Sequence, residues 1–327
     1  MKALGGRALV VPTDVSDHAQ VEAAAIAVES ALGPIDVWIN NAMVSVFSPF
    51  HEMSAEEFKR VTEVTYLGIV YGTMSAIRFM RPRNRGTIVQ VGSALAYRSI
   101  PLQTAYCGAK HAIRGFTDGL RSELLHDHID IHLTMVQLPA LNTPQFDWVK
   151  SRLPRKPQPV PPIFQPEVAA RAIYWAANHR RREVYVGLPT LKAIIANKII
   201  PGYLDRYLSR NGYDSQQTQE AADPNTPDNL WNPLPIDRGA HGRFDRRAKS
   251  GSLQLWFTTH RTWLAVLAAA VGATGFAYTM KRSNSTRWLS NLARTALRRP
   301  LKSPAQVAPF APSQPVRLSA VKHLRQN

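Results

Sequence analysis

Residues 86–136, GTIVQVGSALAYRSIPLQTAYCGAKHAIRGFTDGLRSELLHDHIDIHLTMV, decide the fold. The two ends of this stretch, 86–91 and 129–136, are short runs rich in apolar and β-branched residues, a composition typical of buried strands. Between them, residues 104–126 are long enough for several helical turns and predict a helix. Because two strands joined through a helix lie parallel in one sheet, the stretch predicts a βαβ unit.

The same alternation of strand and helix continues on both sides of this unit. Further strands are predicted at 7–12, 35–39 and 183–187, and further helices from Ser16 to Gly33, over 55–80 and over 166–178. The helix over 55–80 begins at a capping box formed by Ser54 and Glu57. The sequence therefore predicts an α/β fold whose parallel sheet is covered by helices on both faces.

Composition divides the 327-residue chain into four regions. Residues 1–210 carry the alternating strands and helices, whereas residues 211–250 are polar and proline-containing, which is typical of a linker. Residues 251–300 combine an apolar run with a basic amphipathic segment. Residues 301–327 are rich in proline, alanine, serine and glutamine, and we expect a disordered tail there.

A proline-rich segment interrupts the first region. Residues 144–166 contain seven prolines together with Phe146 and Trp148. A connection of this length in a compact domain is typical of a lid or a linker. The two aromatic side chains either line an apolar substrate pocket or pack beneath the lid.

The net charge of +17 is concentrated near the end of the chain. Residues 281–327 contain ten lysines and arginines and no acidic residue. A basic amphipathic helix expected over 285–299, next to the apolar run 263–280, indicates association with a membrane surface. We expect the apolar run either to form a transmembrane helix, in an orientation that the charges leave open, or to dock on protein. No nucleic-acid-binding module is recognisable, so nucleic acid is not an expected partner.

The number of cysteines and the N-terminal residues indicate the cellular compartment of the protein. The single Cys107 excludes an internal disulfide framework and favours a reducing compartment. No basic-then-apolar leader opens the chain, so a cytoplasmic location is expected. Three histidines cluster at 126, 128 and 132, but no cysteine or glutamate completes a set of ligands, so no metal is expected.

Tyr106 and Lys110 form the pattern that indicates chemistry. They lie four residues apart in the predicted helix over 104–126, so their side chains project from one face. A phenol has an ordinary pKa near 10, and a nearby ammonium group brings that pKa towards neutrality. Ser93, at the end of the preceding strand, can hold a substrate oxygen that gives or takes the proton. The pattern Tyr-x-x-x-Lys also occurs in ordinary amphipathic helices, where the lysine extends along the surface. The neighbouring motifs are therefore needed to indicate a catalytic site.

Further polar motifs follow the predicted strands, at the carboxyl ends where parallel α/β sheets bind ligands. They are Asp14-Val15, Asn40-Asn41-Ala42 and Gly92-Ser93. Together with the tyrosine and the lysine, their order and spacing resemble the short-chain dehydrogenase/reductase family over about residues 7–190. The resemblance implies a Rossmann-like doubly wound parallel sheet, NAD or NADP as cofactor, and hydride transfer between a carbonyl and an alcohol.

The resemblance also implies a role for each matching residue. Tyr106 is the general acid and base, Lys110 lowers its pKa and holds the nicotinamide ribose, and Ser93 orients the substrate oxygen. The remaining cofactor contacts would be Asp14 and Val15 at the adenine, Asn40 and Ala42 in the cleft, and Thr143 at the nicotinamide amide. The substrate would be a small carbonyl or alcohol, and the protein a homo-oligomer built on the helices over 55–80 and 104–126.

Three positions depart from the family pattern around the site. Thr65 stands where the family has the asparagine of its proton relay, and we expect the Thr65 hydroxyl to bind a water there. Met43 replaces the glycine that follows Asn-Asn-Ala. Leu138-Pro139 replaces the Pro-Gly of the loop that leads to Thr143.

The largest departure lies at the beginning of the chain. The glycine-rich turn of the family precedes the Asp14-Val15 strand, where this sequence has thirteen residues, so the sheet is expected to lack its first two strands. We expect a start assigned about 45–50 residues too late, since a dinucleotide site uses that turn to bind the pyrophosphate. The alternative is a catalytically impaired relic that acts as a membrane-associated interaction protein.

Overall fold

The structure, a computed structural model, describes residues 5–282. The chain divides into two compact units after Leu264. The first unit contains the sheet, its flanking helices and the main cavity, and the second begins within the last helix.

A parallel four-stranded sheet forms the centre of the first unit. In spatial order its strands are β1 (Val37–Asn40), β3 (Gly86–Ser93), β4 (Ile131–Leu138) and β7 (Glu183–Tyr185). The register of β3 on β4 runs from Gly86 opposite Ile131 to Ser93 opposite Leu138. This sheet confirms the predicted Rossmann-like α/β fold.

Helices cover both faces of the sheet. They are α1 (His18–Leu32), α2 (Ala55–Thr62), α3 (Gly68–Met80), α4 (Thr104–His126), α5 (Pro166–Asn178), α6 (Leu188–Ile199) and α7 (Pro201–Asn211). On one face Ile88 of β3 packs with residues of α1, α3 and α4. On the other face Val89 and Val91 pack with α5. Successive strand residues point to opposite faces, so a strand buried on both sides is apolar throughout.

The helix predicted over 55–80 contains an interruption. The capping box is present, because Ser54 and Glu57 exchange side-chain-to-backbone hydrogen bonds of 3.2 and 2.9 Å. Residues Glu63–Leu67 form a wider π-helical turn between α2 and α3. Such turns are frequent at functional sites, and this one contains Thr65.

The strand predicted over 7–12 is wrong. Those residues have no regular secondary structure and pair with no strand of the described chain, and Val10 is 85% exposed. A strand needs a neighbour to satisfy its backbone groups, and none lies beside this segment. The following helix is capped by Asp17 rather than by Ser16, since the Asp17 carboxylate accepts from the amides of Ala19 and Gln20.

The segments expected to be a lid and a linker contain small pieces of sheet. Strand β2 (Val46–Phe47) pairs with β5 (Lys150–Ser151), and β6 (Arg155–Pro157) pairs with β8 (Gln217–Ala221). Leu230 and Phe244 are buried against the domain. Residues 211–250 are therefore packed onto the domain, unlike the linker expected from their polar composition.

Two helices end the described chain, α8 (Leu253–Thr259) and α9 (Arg261–Arg282). Within residues 5–282, no helix has the length and apolar character needed to cross a membrane. The transmembrane interpretation of residues 263–280 is therefore unsupported, since alanine, glycine and threonine keep α9 weakly apolar. The helix expected over 285–299 and the tail over 301–327 lie outside the described residues, and membrane association stays a prediction.

Candidate active site

A cavity of about 670 Å³ lies where β1, β3 and β4 end. Five of the predicted site residues line it: Ala42 after β1, Ser93 at the end of β3, Tyr106 and Lys110 on α4, and Thr143 after β4. The remaining four, Asp14, Val15, Asn40 and Thr65, do not line this cavity.

Ser93, Tyr106 and Lys110 are brought together by the junction of β3 and α4. The Ser93 hydroxyl accepts the amide of Leu95 at 3.1 Å, which fixes its position at the strand end. Lys110 is 2% exposed, and its Nζ lies 5.5 Å from the centroid of the Tyr106 ring. The same Nζ donates to the Val91 carbonyl of β3 at 2.8 Å. The spacing of four residues thus places both side chains on the helix face that packs against β3.

Burial controls the titration of this group. It raises the pKa of the Tyr106 phenol, and the neighbouring Ser93 hydroxyl acts in the opposite direction. Burial also lowers the pKa of Lys110 to about 8. The expected lowering of the Tyr106 pKa is absent, since burial outweighs the favourable neighbours. At neutral pH the Tyr106 phenol is therefore protonated, and Lys110 carries its positive charge in most molecules.

Asn40 has a structural role instead of lining the cleft. Its amide donates to Thr73 at 3.1 Å and to Gln90 at 2.9 Å, and its oxygen accepts from Trp38 at 2.8 Å. This buried network ties β1 to β3 and α3. Side chains alternate along an extended chain, so the next residue, Asn41, faces the cavity in its place.

Thr65 holds the loop that follows Ala42. Its hydroxyl donates to the Val44 carbonyl at 2.8 Å and accepts from the Val44 amide at 3.1 Å. A threonine hydroxyl has a single hydrogen to donate, and here the protein uses it. The structure therefore favours a positioning role over the predicted water-mediated relay.

Asp14 and Val15 are held within the protein. The Asp14 carboxylate accepts from Arg60 at 2.9 Å and from the Ser16 hydroxyl at 2.7 Å. Burial acts to raise the pKa of Asp14, but the hydrogen bonds from Ser16 and Arg60 outweigh it and lower the pKa. Val15 packs beside the buried cluster around Val44.

Comparisons with known proteins bear on the family and the fold. A family model described as short chain dehydrogenase matches residues 1–151, which include Ser93, Tyr106 and Lys110. Over this part the chain is similar to the short-chain dehydrogenase/reductase family. An uncharacterized oxidoreductase YxnA of Bacillus subtilis is 29% identical over 276 residues, covering 84% of this chain and 76% of that protein.

Two further relatives match over shorter segments. Dehydrogenase/reductase SDR family member 7 of Homo sapiens is 41% identical over 116 residues, or 36% of this chain and 34% of that protein. A 3-dehydrosphinganine reductase of Danio rerio is 34% identical over 139 residues, or 42% of this chain and 41% of that protein. The chain thus matches well under half the length of each.

A solved structure agrees at the level of the fold. A short-chain dehydrogenase from Streptomyces avermitilis superposes with a TM-score of 0.51 at 22% identity, covering 64% of this chain and 80% of that one.

The residues around Tyr106 are the candidates to hold the nicotinamide end of a dinucleotide, the cofactor that the family resemblance implies. Asn41, Ala42 and Thr143 line the cavity together with Tyr106 and Lys110 of α4. Within residues 5–282, no glycine-rich turn joins a strand of the sheet to a helix.

Much of the remaining wall was missed by sequence reasoning. Phe146 and Trp148 line the cavity, which agrees with one of the two interpretations of these residues. Leu204, Tyr207 and Leu208 of α7 also line it. The apolar spacing of α7 resembles that of any amphipathic helix, so no local signal connects it to the site.

Proposed function

We propose that this protein transfers hydride between NAD or NADP and a small carbonyl or alcohol substrate. One observation carries the proposal: Ser93, Tyr106 and Lys110 together line a cavity of about 670 Å³ at the carboxyl ends of the strands. Parallel α/β sheets bind ligands at that edge. The cavity also lies within the range of about 300–1,000 Å³ that suits a small molecule.

In reduction, the substrate carbonyl oxygen binds between the hydroxyls of Ser93 and Tyr106. Ser93 is fixed at the end of β3 and orients that oxygen. Tyr106 donates its proton to the oxygen as negative charge develops there. The raised pKa of Tyr106 keeps this proton in place at neutral pH.

Lys110 stabilises the charge left on the tyrosine. Its Nζ lies 5.5 Å from the centroid of the phenol ring in a buried setting, where electrostatic interactions are strong. Tyr106 and Lys110, with Asn41, Ala42 and Thr143, would hold the nicotinamide end of the cofactor. The bound nicotinamide would supply or accept the hydride at the substrate carbon.

The test is a spectrophotometric assay of the full-length protein with NADH or NADPH and methyl octyl ketone. We expect oxidation of one cofactor that depends on the ketone, and the reverse reaction with the corresponding alcohol. A folded protein that neither binds nor oxidises either cofactor would contradict the proposal. That result would favour the alternative of a non-catalytic interaction protein.

A further inference from the structure

Helices α6 and α7 cover part of the cavity and also expose apolar side chains to solvent. Ala193 of α6 and Leu204 and Leu208 of α7 line the cavity. The outer side of the two helices and the residue that joins them carry six apolar or aromatic side chains that are each at least 46% exposed: Leu188, Ile195, Ile199, Ile200, Tyr203 and Tyr207. A surface helix of a globular domain usually presents a polar face to water, so this composition indicates a partner.

The exposed residues of α7 lie on one face of the helix. Ile200, Tyr203, Tyr207 and Arg210 follow one another at intervals of three or four residues, and the exposed Arg206 lies beside them. Tyr207 is 50% exposed and also lines the cavity. The outer face of α7 therefore reaches the rim of the cavity.

Helix α6 has a similar exposed face. Leu188, Lys192, Ile195 and Ile199 recur at intervals of four, three and four residues, and all four are exposed. Ile194, on the inner side, is buried. The outer surface of the two helices is thus mainly aliphatic on α6 and at the turn, and aromatic and basic on α7.

The unpaired charges on this surface have one sign. Residues 188–211 contain one acidic residue, Asp205, which accepts a hydrogen bond from Arg98 at 2.6 Å and is thereby paired. Asn197 of α6 donates to the Tyr97 carbonyl at 2.8 Å, so both helices are held on the domain. The basic residues of the segment remain exposed: Lys192, Lys198, Arg206 and Arg210.

An anionic lipid surface matches this combination of side chains. Leucine and isoleucine gain from contact with acyl chains, tyrosine is enriched at the level of the headgroups, and lysine and arginine are attracted to anionic headgroups. Two copies of this surface would bring like charges together, which disfavours self-association. A single-stranded nucleic acid would stack on the tyrosines, but the exposed isoleucines have no role in that mode of binding.

We propose that the outer surface of α6 and α7 lies against an anionic bilayer, with Ile199 and Ile200 at the boundary between headgroups and acyl chains. Tyr207 then places the rim of the cavity next to the lipid, from which an apolar substrate can enter. The helices lie on the bilayer and do not span it. This contact is separate from the association predicted for residues 263–299, and bilayer binding itself does not depend on the proposed hydride transfer.

The test uses the full chain with Ile199→Cys, labelled with the environment-sensitive fluorophore nitrobenzoxadiazole, and vesicles of phosphatidylcholine and phosphatidylserine. Cys107 is buried, so the introduced thiol is the one that reacts with the label. We expect the emission to shift to shorter wavelength when vesicles are added. Arg85→Cys, labelled in the same way, should show no shift, because Arg85 precedes β3 at the edge of the sheet opposite the cavity.

Charge-matched variants measure the contribution of the basic residues. Arg206→Gln combined with Arg210→Gln should raise the lipid concentration that gives half of the shift at Ile199→Cys by about ten- to thirtyfold. Arg81→Gln combined with Arg85→Gln removes the same charge at the opposite edge of the sheet and should change that concentration by less than about twofold.

The remaining outcomes would overturn the inference. If the protein sediments with vesicles but the label of Ile199→Cys does not respond, another part of the chain holds it on the bilayer. An equal shift from both labelled positions would show that the contact is not specific to α6 and α7. A shift that follows protein concentration without lipid would assign the surface to a second copy, and one that requires a single-stranded oligonucleotide would assign it to nucleic acid.

Discussion

The protonation state of Lys110 couples the site to pH. Burial lowers the pKa of Lys110 to about 8, so its charge is present below that pH and is lost as the pH rises through it. We expect kcat/KM for reduction to be constant near neutrality and to fall above pH 8, as the charge beside Tyr106 disappears.

The pH profile of variants measures this directly. Lys110→Met should slow turnover and remove the decline near pH 8. Lys59→Met, which changes an exposed lysine of α2, should leave the profile unaltered. A decline that persists in Lys110→Met would assign the titration to another group.

Thr65 positions the loop that carries Ala42. Thr65→Val leaves the Val44 amide and carbonyl without their buried partner, and should reduce the free energy of unfolding by roughly 1–3 kcal/mol. Thr65→Ser keeps the hydroxyl, so its free energy of unfolding should decrease less than that of Thr65→Val. Thr62→Val, at an exposed hydroxyl bonded within its own helix, is the matched control. Urea unfolding of the three variants checks this, and equal stability of Thr65→Val and wild type would refute it.

At the scale of elements, α3 packs closely on β1 at Gly72. A Cβ at this position would overlap the side chains of Asn40 and Trp38, which belong to the buried network. Gly72→Ala should therefore destabilise the protein, although alanine is the better helix former by about 1 kcal/mol. A Cβ at Gly119 of α4 meets no atom within 4 Å, so Gly119→Ala should stabilise the protein. Thermal unfolding separates the two, and a stabilising Gly72→Ala would contradict the packing.

Helices and strands are predicted correctly where the signals that define them lie in their own sequence. The helices predicted over 104–126 and 166–178 have those bounds in the structure, because turn and proline signals at their ends are local. The segment 7–12 has the composition of a strand, but pairing depends on a neighbour that composition does not contain. The π-helical turn around Thr65 likewise had no signal in the sequence.

The sequence predicts a site residue well where its motif determines the direction of the side chain as well as its position in the chain. Tyr106 and Lys110 share a helix face by spacing alone, and they line the cavity together. Asn40 belongs to an equally recognisable motif, yet it points into the network between β1 and α3.

At the scale of the molecule, residues far along the chain complete the domain. Asn229 and Gly239 line the cavity, although every motif tied to chemistry lies before residue 145. Leu255 of α8 is buried in the cluster that covers the α5 face of the sheet. The chain must therefore extend past residue 250 to close its core.

Leu255 and Leu253 offer a matched pair on one helix. Leu255→Ala removes a buried side chain and should reduce the free energy of unfolding by about 2–5 kcal/mol. Leu253 is 72% exposed, so Leu253→Ala should change the free energy of unfolding little. Similar unfolding curves for the two variants would show that α8 is not part of the core.

The most direct test of the central claim is the turnover of Tyr106→Phe. Removing the hydroxyl removes the proton donor while keeping the ring, so kcat for ketone reduction should fall by at least about 10²-fold. Tyr66→Phe, which removes a hydroxyl from the π-helical turn outside the cavity, should retain activity. Near-wild-type kcat in folded Tyr106→Phe would contradict the assignment of Tyr106 as the general acid.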